Sequence, residues 1–149
     1  MRRIFVVSPL RGTPAQFDVI ERSVATAVES WKRDSNPDPI MIEDFEVSLR
    51  GKLRADLFRS NMSRAEYLCL SIALMGHAPF APHVFSPQFL DDNEPEQRAA
   101  GIAGGLAWLS VCDQVWVYRR HGISSGMEKE IHAAKSLGKP ILVPAGWGP

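Results

Sequence analysis

Apolar residues alternate between two kinds of run along the chain. Short continuous runs rich in β-branched residues, "IFVVS" (4–8), "DQVWVY" (113–118) and "PILVP" (140–144), predict strands buried on both faces, as in a parallel sheet. "APFAPHVF" (78–85) predicts a brief further strand interrupted by prolines, followed by an acidic loop, "SPQFLDDNEPEQ". Between the strands the period changes to that of helices. Thr13 as N-cap, Pro14 in the first turn and Gln16 as the third residue of a capping box predict a helix with Phe17, Ile20, Val24, Val28 and Trp31 on one stripe, ending before "DSNPDP". "NMSRAEYLCLSIALMG" (61–76) predicts a second helix, and Pro95 opens a third through "EQRAAGIAGGLAWLSVC". Gly101, Gly104 and Gly105 in that helix predict close packing against the sheet and do not form a G-x-G-x-x-G fingerprint. Residues 34–60 read as an excursion from the core, with a short strand at "PIMIEDF" and scattered apolar positions after it.

Strands alternating with helices predict a single α/β domain over residues 1–149. The expected architecture is a three-layer Rossmann- or flavodoxin-like fold, with a mostly parallel sheet of four to five strands and helices on both faces. Ligands in such folds sit beyond the carboxyl ends of the strands. Three loops fall there: "SPLRG", "PHVFSPQFLDD" and "RRHGISSG".

The last loop leads into "GMEKEIHAAKSLGKP", where Glu128 and Glu130 stand two residues apart. At about 100° per residue, Met127, Ile131, Ala134 and Leu137 share one apolar arc. Glu128 falls on the wet side with His132 and Lys135, and completes a capping box with Ser125. Glu130 falls inside the apolar arc. A carboxylate turned toward a sheet costs several kcal/mol unless it is paired or lines a cleft. It is therefore either an ion-pair partner, for which Arg11 is the candidate, or a working group at the base of a pocket. Ser124, Ser125 and Gly126 suit either an anion site at a helix N-terminus or a plain capping turn. Arg11 suits an anion clamp, a surface to stack on a base, or an ordinary surface position. His83, Asp91 and Asp92 bring polar groups to the same strand ends.

Seventeen basic residues balance seventeen acidic ones, which argues against a nucleic-acid polymer as partner but leaves room for a small anion. Four scattered histidines and two distant cysteines, Cys69 and Cys112, offer no metal site, and the cysteines read as reduced thiols or one long-range disulfide. The apolar run near the N-terminus is too short for a signal peptide, and no stretch is long enough to span a membrane. A cytoplasmic protein is expected.

Four stretches in order, "FVVSPLRG", "NMSRAEYLCLSIALMGHAPFAPHVF", "FLDDNEPEQRAAGIAGGLAWLSVCDQVWVY" and "SSGMEKEIHAAKSLGKP", resemble the nucleoside 2-deoxyribosyltransferase-like superfamily, which includes 2'-deoxynucleoside 5'-phosphate N-hydrolases. The resemblance covers residues 3–12 and 61–144 and leaves 13–60 unmatched. Its most specific part is S-x-G-M-x-x-E followed by A-x-x-x-G-K-P. By that motif the resemblance implies Glu130 as the nucleophile on the anomeric carbon, and Ser124, Ser125, Gly126 and Met127 as the substrate-binding turn before it. A serine at 124 implies a 5'-phosphate, because the aspartate that stands there in transferases of free nucleosides would repel one. Ser8, Arg11 and Gly12 are similar to the superfamily's first loop, lengthened here by Pro9. Asp113 matches an aspartate that contacts the ribose, although as the first residue of a strand it is equally suited to a structural place. Asp92 or His83 would protonate the leaving base. The implied reaction is N-glycosidic cleavage or base transfer on a (deoxy)nucleoside 5'-monophosphate, without metal or redox cofactor, in a homodimer or larger homo-oligomer. The alternative expectation is a nucleotide-binding module that senses or sequesters its ligand without turnover.

Overall fold

In a computed structural model describing residues 1–149, four strands form one parallel sheet in the order β2-β1-β3-β4. They are β1 (Arg3–Val7), β2 (Ala78–Phe80), β3 (Gln114–Val117) and β4 (Ile141–Leu142). β1 takes the centre and pairs with both β2 and β3. Its side chains alternate between the two faces. Phe5 and Val7 enter one core with Leu109, Val115, Met127 and Ala134, whereas Ile4 and Val6 enter the other with Leu68, Ile72 and Tyr118. The first core is covered by α4 (Pro95–Val111) and α5 (Ser125–Ser136), the second by the latter half of α2 (Pro39–Leu74). The result is the expected three-layer, flavodoxin-like α/β fold. Cys69 and Cys112 are free thiols on opposite faces of the sheet. No helix is long and apolar enough to cross a membrane.

α1 (Pro14–Ser35) starts as expected. Thr13 accepts from Gln16 N while the Gln16 side chain accepts from Thr13 N at 3.0 Å. The segment 34–60 departs from expectation. It holds no strand; Pro39 to Leu74 is one helix of 36 residues, so the helix expected from Asn61 begins 22 residues earlier. Its apolar positions change face midway. Ile42, Phe45, Leu49, Leu53 and Leu57 pack on Ile20, Val24 and Val28 of α1, while Ala65, Leu68 and Ile72 are buried on the other side. The two stripes lie roughly 110° apart at 100° per residue, so no single stripe runs the full length. α1 and the first half of α2 thus make a helical arm with its own narrow core. Between β2 and α4 the chain makes α3 (Pro82–Phe85) and one 3-10 turn (Ser86–Gln88) instead of extending the strand.

Candidate functional site

At the carboxyl ends of β1 and β2, between α4 and α5, lies a cleft of about 300 Å³. That is the lower end of the about 300–1,000 Å³ range of small-molecule pockets, room for one compact ligand. α4 and α5 both start at this end of the sheet, and small residues on each keep the gap open. Gly101 and Gly105 line it from α4, Gly126 and Ala133 from α5. The α4 glycines do not meet the sheet as their spacing suggested. A Cβ on Gly105 would lie 3.2 Å from Pro82 Cβ and one on Gly101 3.4 Å from Leu90 Cδ1, so they seat α4 on α3 and the loop after it. Gly104 faces open space. Leu10, Pro82, Leu90, Ile102 and Leu106 give the cleft an apolar wall.

Glu130 lines this cleft from the second turn of α5. The side chain is half-buried, its carboxyl facing the cleft, and no group of the chain hydrogen-bonds or pairs with it. Burial alone pushes it up to about 8, so it holds its proton at neutral pH when the cleft holds only water. The ion pair with Arg11 does not form. Arg11 Nη2 instead lies 2.7 Å from Asp92 Oδ2 and donates to the Asp92 carbonyl at 2.9 Å, joining the first loop to the second across the rim. Arg98 Nη1 reaches the same Asp92 oxygen at 2.7 Å. Asp92 therefore bridges two guanidiniums. To protonate a leaving group it would have to surrender both pairs, which turns attention to His83.

His83 lines the cleft from α3, and its Nε2 lies 2.7 Å from Ser8 Oγ at the end of β1. Burial lowers it to about 4, so it is neutral at physiological pH. Ser8 is buried and has no other partner for its hydroxyl. A buried hydroxyl hydrogen left undonated is costly, so Ser8 donates to Nε2 and the ring proton sits on Nδ1. In that tautomer the Nδ1–H is a donor with no partner in the chain.

The start of α5 differs by one residue from expectation. Ser124, not Ser125, is the N-cap, its Oγ accepting from Met127 N at 3.3 Å, and Glu128 is an exposed acid in the first turn with no part in a capping box. Ser125 and Gly126 consequently face the cleft. Met127, expected against substrate, is instead buried in the core under β1 and β3. Gly12 also stands apart from the cleft. Its φ of +131° and the 2.8 Å a Cβ would leave to Leu57 Cδ2 make it the close turn onto the helical arm. Asp113 is at the opposite, amino-terminal edge of the sheet, which corrects its assignment to the ribose. Its carboxylate accepts from the Arg3 guanidinium at 2.6 Å and the Arg3 amide at 2.7 Å, and these bonds hold it below the usual carboxylate range.

Two cleft cations escaped the reading of the residues, Arg98 and Lys129. The only available signal was spacing: Arg98, Ile102 and Leu106 recur every four residues with the glycines among them, and Lys129 adjoins Glu130. With Glu130 protonated, Arg98 and Lys129 outnumber Asp92 among the lining residues, so the cleft lining is net positive by one charge. No cluster of three His, Cys, Asp or Glu side chains is placed to hold a metal ion.

A family described as a domain of unknown function (DUF7768) matches residues 47–143, and the chain belongs to that family. No curated protein and no solved structure matches the chain. The matched region runs from the arm's second helix through β4 and includes both α4 and α5, the two helices that bound the cleft.

Proposed function

We propose that the cleft binds a (deoxy)nucleoside 5'-monophosphate and that the protein cleaves or transfers its base, with Glu130 as the carboxylate at the anomeric carbon. The observation that carries this reading is Glu130 itself, a carboxyl without a partner in a small, positively charged cleft at the strand ends. The resemblance of "SSGMEKE" to the deoxyribosyltransferase-like motif supplies the chemistry. N-glycosidic cleavage passes through an oxocarbenium-like state, and an adjacent carboxylate adds to the sugar or stabilises its charge. Water then completes hydrolysis, and a second base completes transfer. The phosphate is set at the start of α5, among the amides of Ser125 and Gly126 and the cation of Lys129, where the helix dipole adds to the attraction. His83 donates to the departing base through Nδ1. As a neutral imidazole it stabilises charge on the base by hydrogen bonding instead of delivering a full proton.

A second reading draws on the same carboxyl. A group still protonated at pH 7 is a poor nucleophile, and this favours a module that binds nucleotide without turnover. Incubation with a panel of nucleoside monophosphates, followed by chromatography for free base, separates the two. Base release abolished by Glu130→Gln supports the enzyme. A nucleotide-dependent rise in melting temperature without base release supports the binder. Neither response from any nucleotide rejects both.

A further inference from the structure

The arm has a side that its own core leaves bare. α1 packs on one face of α2 through Phe45, Leu49 and Leu53, and at 1.5 Å per residue the segment 39–60 reaches about 33 Å. On the opposite face stand Ile40, Asp44, Val47, Gly51, Arg54 and Phe58, spaced four, three, four, three and four residues apart. That is the a/d spacing of a coiled-coil seam. Ile40 is 72% exposed and Val47 63%, Phe58 is half-buried within its own chain, and a Cβ on Gly51 would meet nothing within 4 Å. Asp44 has no ion-pair partner in the chain. Arg54, with its side chain 56% exposed, leans back toward α1, 3.8 Å from Glu21 and 5.7 Å from the centre of the Phe17 ring. Meeting the partner's Asp44 therefore takes a change of rotamer.

The seam is complementary to itself when reversed. Laid antiparallel about the midpoint between Val47 and Gly51, Ile40 meets Phe58, Asp44 meets Arg54 and Val47 meets Gly51. Every layer then joins an a position to a d position. Apolar pairs close both ends, opposite charges meet inside them, and a valine faces a position with no side chain. Two-fold symmetry repeats each layer, as an isologous interface requires. Arg50, the like charge nearest the centre, is already neutralised within its own arm by Glu21 at 3.0 Å and Glu46 at 4.0 Å.

We propose that a second copy of the chain covers this face, the two arms packing antiparallel in a symmetric dimer. The pairing sets the tip of one arm beside the partner's strand-end loops. Ile40 of one copy lies against the partner's Phe58, one turn before the asparagine that donates to the Leu10 carbonyl at 3.2 Å within each copy. The proposal rests on the arm alone and stands or falls independently of what the cleft binds.

The test is sedimentation equilibrium on the full chain. The wild type is expected to have twice the chain mass at micromolar concentration. Asp44→Arg and Arg54→Asp each set like charges against one another in two layers and are expected to sediment as monomers. An equimolar mixture of the two variants restores the dimer, because every altered position then faces its opposite charge. This rescue cannot arise from a change in folding of either chain. Val47→Lys, on the side away from the arm's own core, provides a second disruption, with circular dichroism confirming intact helix. A monomeric wild type, a dimer indifferent to all three substitutions, or a mixture that stays monomeric would each overturn the proposal.

Discussion

Replacing Glu130 by glutamine keeps the shape of the side chain and removes its titration. In the folded chain the carboxyl titrates near 8, against an ordinary value of 4.5, because protein replaces the water that would solvate the charge. Folding thus raises this pKa, so the native state binds the proton more tightly than the unfolded chain. Below the ordinary value both states are protonated and the group has no effect. As pH rises from there to about 8, the unfolded chain ionises freely while the native one resists, and stability falls. Each pH unit is worth about 1.4 kcal/mol, and the interval of about three and a half units gives ~5 kcal/mol as a ceiling. Water in the cleft solvates part of the charge, so ~2–4 kcal/mol is the expected loss. The assay is urea unfolding of wild type and Glu130→Gln at intervals from pH 5 to pH 9. Other titrating groups are common to both proteins and cancel in the difference. The variant is expected to lead the wild type by only ~1 kcal/mol at pH 5, where the unfolded carboxyl is already partly ionised, and by ~2–4 kcal/mol at pH 9. Parallel curves would show that the carboxyl is solvated or paired, and the description of the cleft would be wrong.

Under the proposed function, with Glu130 attacking as the anion, kcat/KM for base release should rise with pH up to about 8, and a profile flat from pH 6 to pH 9 would contradict that role. Ser124→Asp retains a good N-cap residue, so the helix survives, yet it places a negative charge at the phosphate end. Monophosphate binding measured by calorimetry should weaken at least about tenfold, or ~1.4 kcal/mol, with nucleosides little affected; equal losses would refute the phosphate assignment. His83→Asn keeps an N–H near the position of Nδ1 and should retain most base release, whereas His83→Ala should lose it. Long-range nitrogen–proton correlation spectra of the wild type should show the Nδ1–H tautomer. Asp113→Asn removes the Arg3 pair at the far edge of the sheet and should leave base release unchanged; loss of activity in a folded variant would place Asp113 in the site after all.

The fold was legible in the sequence where local pattern and tertiary burial agree. β1 and β3 read as continuous apolar runs because both of their faces are covered, and α1 announced itself through Thr13, Pro14 and Gln16. α2 did not, because its partner changes from α1 to the sheet along its length and its apolar stripe changes face with it. Glu130 was legible from one position on a helical wheel, a charge where only an apolar residue belongs. Arg98 and Lys129 carry no such conflict, since exposed cations on helix surfaces are ordinary; only the meeting of α4 with α5 sets them along the cleft. Asp113 shows the opposite error. Motif order placed it beside a strand, and only the direction of that strand reveals that it sits at the wrong end.

A crystal structure of Glu130→Gln with a deoxynucleoside 5'-monophosphate examines the whole reading at once. The sugar's anomeric carbon should lie in contact with the substituted side chain, with the phosphate against Ser125, Gly126 and Lys129. A nucleotide bound elsewhere, or one reversed so that its phosphate meets position 130, would contradict the assignment.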